Sequence, residues 1–189
     1  MTTSTNNTVL TDIKFFDLLL AQFKGSDGEL PTSLSYLTQA MDENNRGRKA
    51  SLIRIAREKL RNTEILGSIL LQISKGQTGP ISSHVDRREL DRFLVNKGVS
   101  ADLYGSGLAL LQDSAISSET ALGAADRPYP DPKKYLQANI LVEEKQIATY
   151  EQLASLTKVP NFLSALRYIQ ARQIQHRDEF VDMLGQLYD

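Results

Sequence analysis

"ASLIRIAREKLRNTEILGSILLQIS", residues 50–74, is the stretch that decides the fold. Leu52, Ala56, Lys59, Thr63, Leu66, Leu70 and Ile73 recur at alternating spacings of four and three, which places them on one face of a helix. Gly76 and Gly79 close the run, as glycine commonly does at a helix C-terminus. A helix of this length with one narrow stripe must be covered by neighbours. The lysine inside the stripe adds a demand, because a buried charge is tolerated only where polar groups converge on it.

Candidate neighbours lie on both sides. Upstream, a short amphipathic segment carries Leu10, Ile13, Phe16, Leu20 and Phe23, "KGSDG" interrupts it, and "ELPTSLSYLTQAM" follows with Leu30, Leu34, Leu37 and Met41 on one stripe. Pro31 suits the first turn of that second segment, and the polar "DENNRGRK" leads into the long helix. Downstream, two further long helices are predicted over residues 132–157 and 161–188, separated by "KVPN". Between them lies a long connection, 76–132, with short helical pieces at 87–95 and 103–112 and the loop "DRPYPDP". Two helices, a long crossover between helices 2 and 3, and two more helices is the connectivity of a ferritin-like four-helix bundle. The expected class is therefore all-α with short extra helices, one domain over 1–189, with 1–8 disordered.

Composition agrees with one domain. The 189 residues are 41% hydrophobic, enough for one substantial core. With 22 basic and 23 acidic residues the formal charge is −1, so no whole-protein field draws the chain to nucleic acid or to an anionic membrane. Cysteine is absent, which excludes disulfide partners, thiolate catalysis and sulfur-ligated zinc; any metal must be held by oxygen and imidazole nitrogen. The polar "MTTSTNNTVLTD" lacks the pattern of a secretory signal and no apolar run is long enough to span a bilayer, so a cytoplasmic protein is expected.

The other seams also carry polar residues near their middles. One runs Leu136, Ile140, Glu143, Ile147, Tyr150, and the last runs Leu166, Ile169, Gln173, His176, Phe180, Met183, Leu187. Lys59, Glu143, Gln173 and His176 should therefore meet one another or a shared ion. Two-metal bundles use one carboxylate from each of two helices and a Glu-x-x-His pair from each of the other two. Here Glu29 and Glu143 fit the single carboxylates. The paired slots, 59 with 62 and 173 with 176, read Lys…Asn and Gln…His, so only His176 among the four is a good ligand. His84, in "SSHVD", falls in a helix-start loop and cannot supply a second pair. Plainer readings stand beside these: Glu29 stabilised by a helix N-terminus, Tyr36 and Tyr150 as core aromatics with a hydrogen-bonded hydroxyl, and "DRRELDR" as a solvated face.

"GELPTSLSYLTQ", "LRNTEILGSILLQISKG" and "NILVEEKQIATYEQLASLTKVPNFLSALRYIQARQIQHRDEF" resemble segments of the manganese catalase family, which includes related spore-coat proteins. The resemblance implies metal-ligand positions at Glu29, Glu143 and His176, with Tyr36 beside the site. It also implies a bridging glutamate at position 59, a histidine ligand at 62 and a proton-moving glutamate at 173, where this chain has Lys59, Asn62 and Gln173. The middle of the chain lacks a clear equivalent of the family's Trp-Asn-Gly stretch. The expected site is thus degenerate, with no catalytic residue assigned: Lys59 stands where metal stood and forms a buried ion pair with Glu29 or Glu143, while Asn62, Gln173 and His176 complete the hydrogen bonds. The function expected is that of a non-catalytic or weakly active relative with a structural, interaction or stress-related role, forming a homo-oligomer and holding no metal or one weakly bound manganese or iron. The alternative is an active peroxide-decomposing catalase, and only that reading calls for dinuclear manganese.

Overall fold

The structure, a computed structural model, describes residues 3–81, 86–98 and 131–188, with side chains from residue 13 onward except at 87. Its helices are α1 (Thr3–Lys24), α2 (Glu29–Asp42), α3 (Arg46–Ser74), α4 (Arg87–Asn96), α5 (Pro132–Leu156) and α6 (Pro160–Gly185), and there is no strand among the described residues. α1 runs back to Thr3, inside the stretch 1–8 expected to be disordered. The predicted piece at 103–112 and nearly all of "DRPYPDP" lie outside the described residues.

Local chemistry sets most of the ends. Asn45 caps α3 by accepting from the Arg48 N–H at 3.0 Å, so the helix begins at Arg46, ahead of the apolar stripe that starts at Leu52. Asp131 does the same for α5, accepting from the Lys133 N–H at 3.0 Å with Pro132 in the first turn. After α3 the chain reverses through Gly76 at φ 66°, a conformation that costs a residue with a Cβ about 1–2 kcal/mol.

Short connections set α2 against α3 and α5 against α6; α3 also meets α6, while α1 packs on α2, α3 and α5. This is the ferritin-like bundle of α2, α3, α5 and α6, with α1 and α4 as additions. The α3 stripe is buried as its period requires, from Leu52 to Leu70. Gly67 on the same helix lets α4 approach, since a Cβ there would stand 2.6 Å from Leu90 Cδ2.

Three expected stripes are rotated. α1 buries Phe15, Leu19 and Phe23 and leaves Ile13 53% exposed; α2 buries Tyr36, Leu37 and Ala40 and leaves Met41 55% exposed. On α5, Ile140 and Ile147 are only half-buried, whereas Asn139 and Gln146 are buried. The rotation is possible because both amides are paired. Asn139 Nδ2 donates to Gln39 Oε1 at 2.7 Å and its Oδ1 accepts from Gln39 Nε2 at 3.1 Å, so both polar atoms of this desolvated amide are satisfied.

Candidate functional site

Lys59 lies midway along α3, and its side chain is wholly buried because its position on the stripe aims it at the bundle axis. Its Nζ reaches oxygens from all three facing helices. Gln146 Oε1 of α5 lies at 2.5 Å, Gln173 Oε1 of α6 at 2.7 Å and Glu143 Oε1 of α5 at 3.0 Å. Glu29 Oε2, from the first turn of α2, lies at 3.5 Å. An ammonium has three N–H groups, and Gln146, Gln173 and, at the longest distance, Glu29 accept them, while Glu143 faces the ammonium as an ion pair and contributes by charge. The Tyr36 ring adds a cation–π contact, its centroid 5.6 Å from Nζ.

The two buried carboxylates have further donors. Tyr36 donates its hydroxyl to Glu143 Oε1 at 2.6 Å, and Tyr150 donates to Glu29 Oε1 at 2.6 Å. Gln173 accepts from Lys59 and donates through Nε2 to Glu29 Oε1 at 2.7 Å, which orients its amide. Gln146 is held likewise, donating to the Asp27 carbonyl at 2.6 Å in the turn between α1 and α2. Burial, reinforced by the neighbouring carboxylates, pushes both tyrosine hydroxyls well above their usual range, so they stay protonated as donors. For Glu143 burial acts upward, but Lys59, His176 and Tyr36 together outweigh it and hold the carboxyl below its ordinary value.

His176 stands at the edge of this cluster. Its Nε2 lies 2.8 Å from Glu58 Oε2, and its Nδ1 faces Glu143 Oε2 at 3.7 Å, beyond hydrogen-bond range. Glu58 is further held by Arg172 at 2.7 Å and Arg54 at 2.9 Å, and its hydrogen bond to His176, with those arginines, lowers its carboxyl to about 2. The His176 ring is pulled two ways: burial and Lys59 disfavour its charge, while Glu143 and Glu58 favour it and prevail, raising its pKa above the ordinary 6.5. When His176 is protonated the charges balance. Lys59 and the imidazolium then oppose Glu29 and Glu143, while Glu58 is matched by Arg54 and Arg172.

This arrangement fixes a pH dependence. Because His176 binds its proton more tightly folded than unfolded, its stabilisation is complete below about pH 6.5 and is lost as pH rises through the folded value. Thermal melts of wild type should therefore fall on the alkaline side of neutrality, and His176→Gln should remove that part of the profile. An unchanged profile in the variant would assign the effect to another group.

The structure thus brings Lys59, Glu29, Glu143, Gln173 and Tyr36 into direct contact, with His176 adjoining through Glu143. Asn62 is only 1% exposed, yet neither its Nδ2 nor its Oδ1 has a partner among the described residues. The expectation that it completes the hydrogen bonds is not met: Lys59 is already saturated by Gln146, which took that place. His176 bonds Glu58 rather than the ion pair. Gln146 and Glu58 escaped the sequence reading, although Gln146 sits three residues beyond Glu143 and Glu58 directly precedes Lys59. Tyr150 is a core aromatic whose hydroxyl is hydrogen-bonded, as its plainer reading expects. Among the described residues, no three His, Asp or Glu side chains gather into a set able to hold a metal ion.

Comparison with known proteins gives a consistent answer. The model of the family described as manganese containing catalase matches residues 7–189. Protein CotJC of Bacillus subtilis (strain 168) is 26% identical over 170 residues, which cover 86% of this chain and 78% of that protein. Among solved structures, wild-type KatB, a manganese catalase from Anabaena, superposes with a TM-score of 0.63 at 24% identity over 92% of this chain and 72% of that one. A structure of KatB from Anabaena PCC7120 gives 0.59 at 27% identity, over 93% and 73%.

Proposed function

The chain belongs to the manganese-containing catalase family, and from that premise we propose that it is a member whose Lys59 ammonium stands where the metals of its relatives stand. On this reading it is a non-catalytic or weakly active protein with a structural, interaction or stress-related role. The observation that carries the reading is the burial of Lys59 among four side-chain oxygens at 2.5–3.5 Å. Those oxygens already face a cation. A divalent ion in the same space would be repelled by a fixed positive charge, and no position remains for a carboxylate to bridge two ions.

The other donors point the same way. Two metals in this bundle architecture call for glutamates and histidines from the paired slots, whereas Asn62 offers an amide and Gln173 cannot ionise. When dinuclear manganese is bound, such sites supply two-electron redox chemistry; the donor set present does not fit it. Glu29, Glu143 and His176 are remnants of the ligand positions, and Tyr36 positions Glu143.

A second reading has its own support. Glu143 Oε2 and His176 Nδ1 are buried, lack hydrogen-bond partners among the described residues and face each other at 3.7 Å. They are a carboxylate and an imidazole that could hold one weakly bound manganese or iron, with peroxide decomposition as the residual activity. We also assign the protein to a cytoplasmic homo-oligomer; among the described residues no helix is long and apolar enough to cross a membrane.

Elemental analysis of protein made in manganese- and iron-supplemented medium, paired with oxygen evolution from hydrogen peroxide, separates these readings. The expected result is far less than one metal per chain and no oxygen above the blank. About one metal per chain with slow turnover would favour the second reading. About two per chain with rapid turnover would overturn both.

A further inference from the structure

Outside the buried centre, the outer face of α3 lines a groove of about 850 Å³ whose walls include Arg46, Lys49, Arg54, Arg57 and Arg61. Its acidic residues, Glu43 and Glu58, are already neutralised. Glu43 is held by Arg48 at 2.9 Å, and Glu58 by Arg54, Arg172 and His176. Arg54 is occupied by Glu58 and Glu179. Arg46, Lys49, Arg57 and Arg61 line the same groove and have no carboxylate partner among the described residues. Four uncompensated cations on one helix face are a sharp local departure in a chain whose net charge is −1.

We propose that this groove binds a linear chain of phosphate groups. Arg46 and Arg61 stand fifteen residues apart on one helix, which spreads the cations over about 22 Å of its axis. A single small anion could touch one end of such a row, whereas a ligand with repeated charge engages all of it. Three of the four free cations are arginines, whose planar forks match phosphate oxygens two at a time. Ala50 and Ile53 between them form a low floor that lets an extended chain lie close to the helix.

The test uses the full-length protein with two probes that carry this chemistry, inorganic polyphosphate and single-stranded oligothymidylate, and with poly-glutamate as the competing polyanion. Wild type is expected to bind at least one phosphate chain at low salt, with affinity falling steeply as salt is added. Which of the two binds identifies the source of the phosphates. Arg57→Gln with Arg61→Gln, both at partly or fully exposed positions, should leave the melting temperature unchanged. The double variant should weaken binding about tenfold and reduce the salt slope by about two. A control with the same charge change elsewhere, Lys14→Gln with Lys134→Gln, should retain wild-type binding. No binding of either phosphate chain, equal or tighter binding of poly-glutamate, or an equal loss in the control would each overturn the proposal.

Discussion

Lys59→Met is expected to lower the unfolding free energy by about 3–5 kcal/mol, the cost typical of removing one partner from a buried ion pair. The loss does not come from packing, since methionine nearly fills the same volume. It comes from Glu29 and Glu143, which are both wholly buried and would share a dry centre with no cation between them. Tyr36, Tyr150 and Gln173 would still donate to them, but neutral donors offset only part of the desolvation of two carboxylates. Urea denaturation followed by circular dichroism measures the loss. Its pH dependence carries a second signature. Without Lys59 the burial of Glu143, which pushes its carboxyl upward, loses its largest counterweight, so the variant should recover stability as pH falls and that carboxyl protonates. Adding Glu29→Gln and Glu143→Gln to the variant should restore much of the loss at neutral pH, a coupling that a double-mutant cycle quantifies. A loss below about 1 kcal/mol would show that Lys59 is not the counter-ion of this cluster.

Restoring the ligand set is the second large effect. Lys59→Glu with Asn62→His and Gln173→Glu returns an acid and an imidazole to α3 and an acid to α6, all aimed at the same centre. The metal-free triple variant should be markedly less stable than wild type, because it adds two carboxylates and removes the one internal ammonium. Manganese should reverse this. Bound metal should approach about two per chain, and the melting temperature should rise with manganese concentration, as linkage requires of a ligand held only by the folded state. Asn62 is well placed for the exchange, being buried with both amide atoms unpartnered among the described residues, so an imidazole there displaces no hydrogen bond seen among them. A folded triple variant that takes up no manganese would mean that the bundle no longer holds its helices at the spacing a metal pair needs.

Much of this was legible in the residues. The period of the α3 stripe predicted its burial, and the presence of Lys59 within that stripe predicted an ammonium at the bundle centre facing Glu29, Glu143 and Gln173. The weaker readings were of rotation. Ile13 and Met41 were expected inside and are half-exposed, and on α5 the buried face takes Asn139 and Gln146 in place of Ile140 and Ile147. Successive residues differ by about 100° around a helix, so a modest turn of the whole element exchanges one stripe for its neighbour. Apolar spacing alone cannot choose between them when the polar candidates have partners waiting on other helices.

The sequence by itself determined the helices, their order and the chemical character of the centre, because helical period, caps and breakers act over a few residues. It put a lysine within the apolar seam of α3 as well, since that follows from residue type at a position. The tertiary structure decided which atoms meet. Gln146 reaches Lys59 across 87 positions of chain, His176 reaches Glu58 across 118, and the Asn62 side chain finds no hydrogen-bond partner among the described residues. Contacts so distant depend on how far each helix is turned and slid against its neighbours. That is settled by the packing of the whole core at once, and no local stretch of sequence records it.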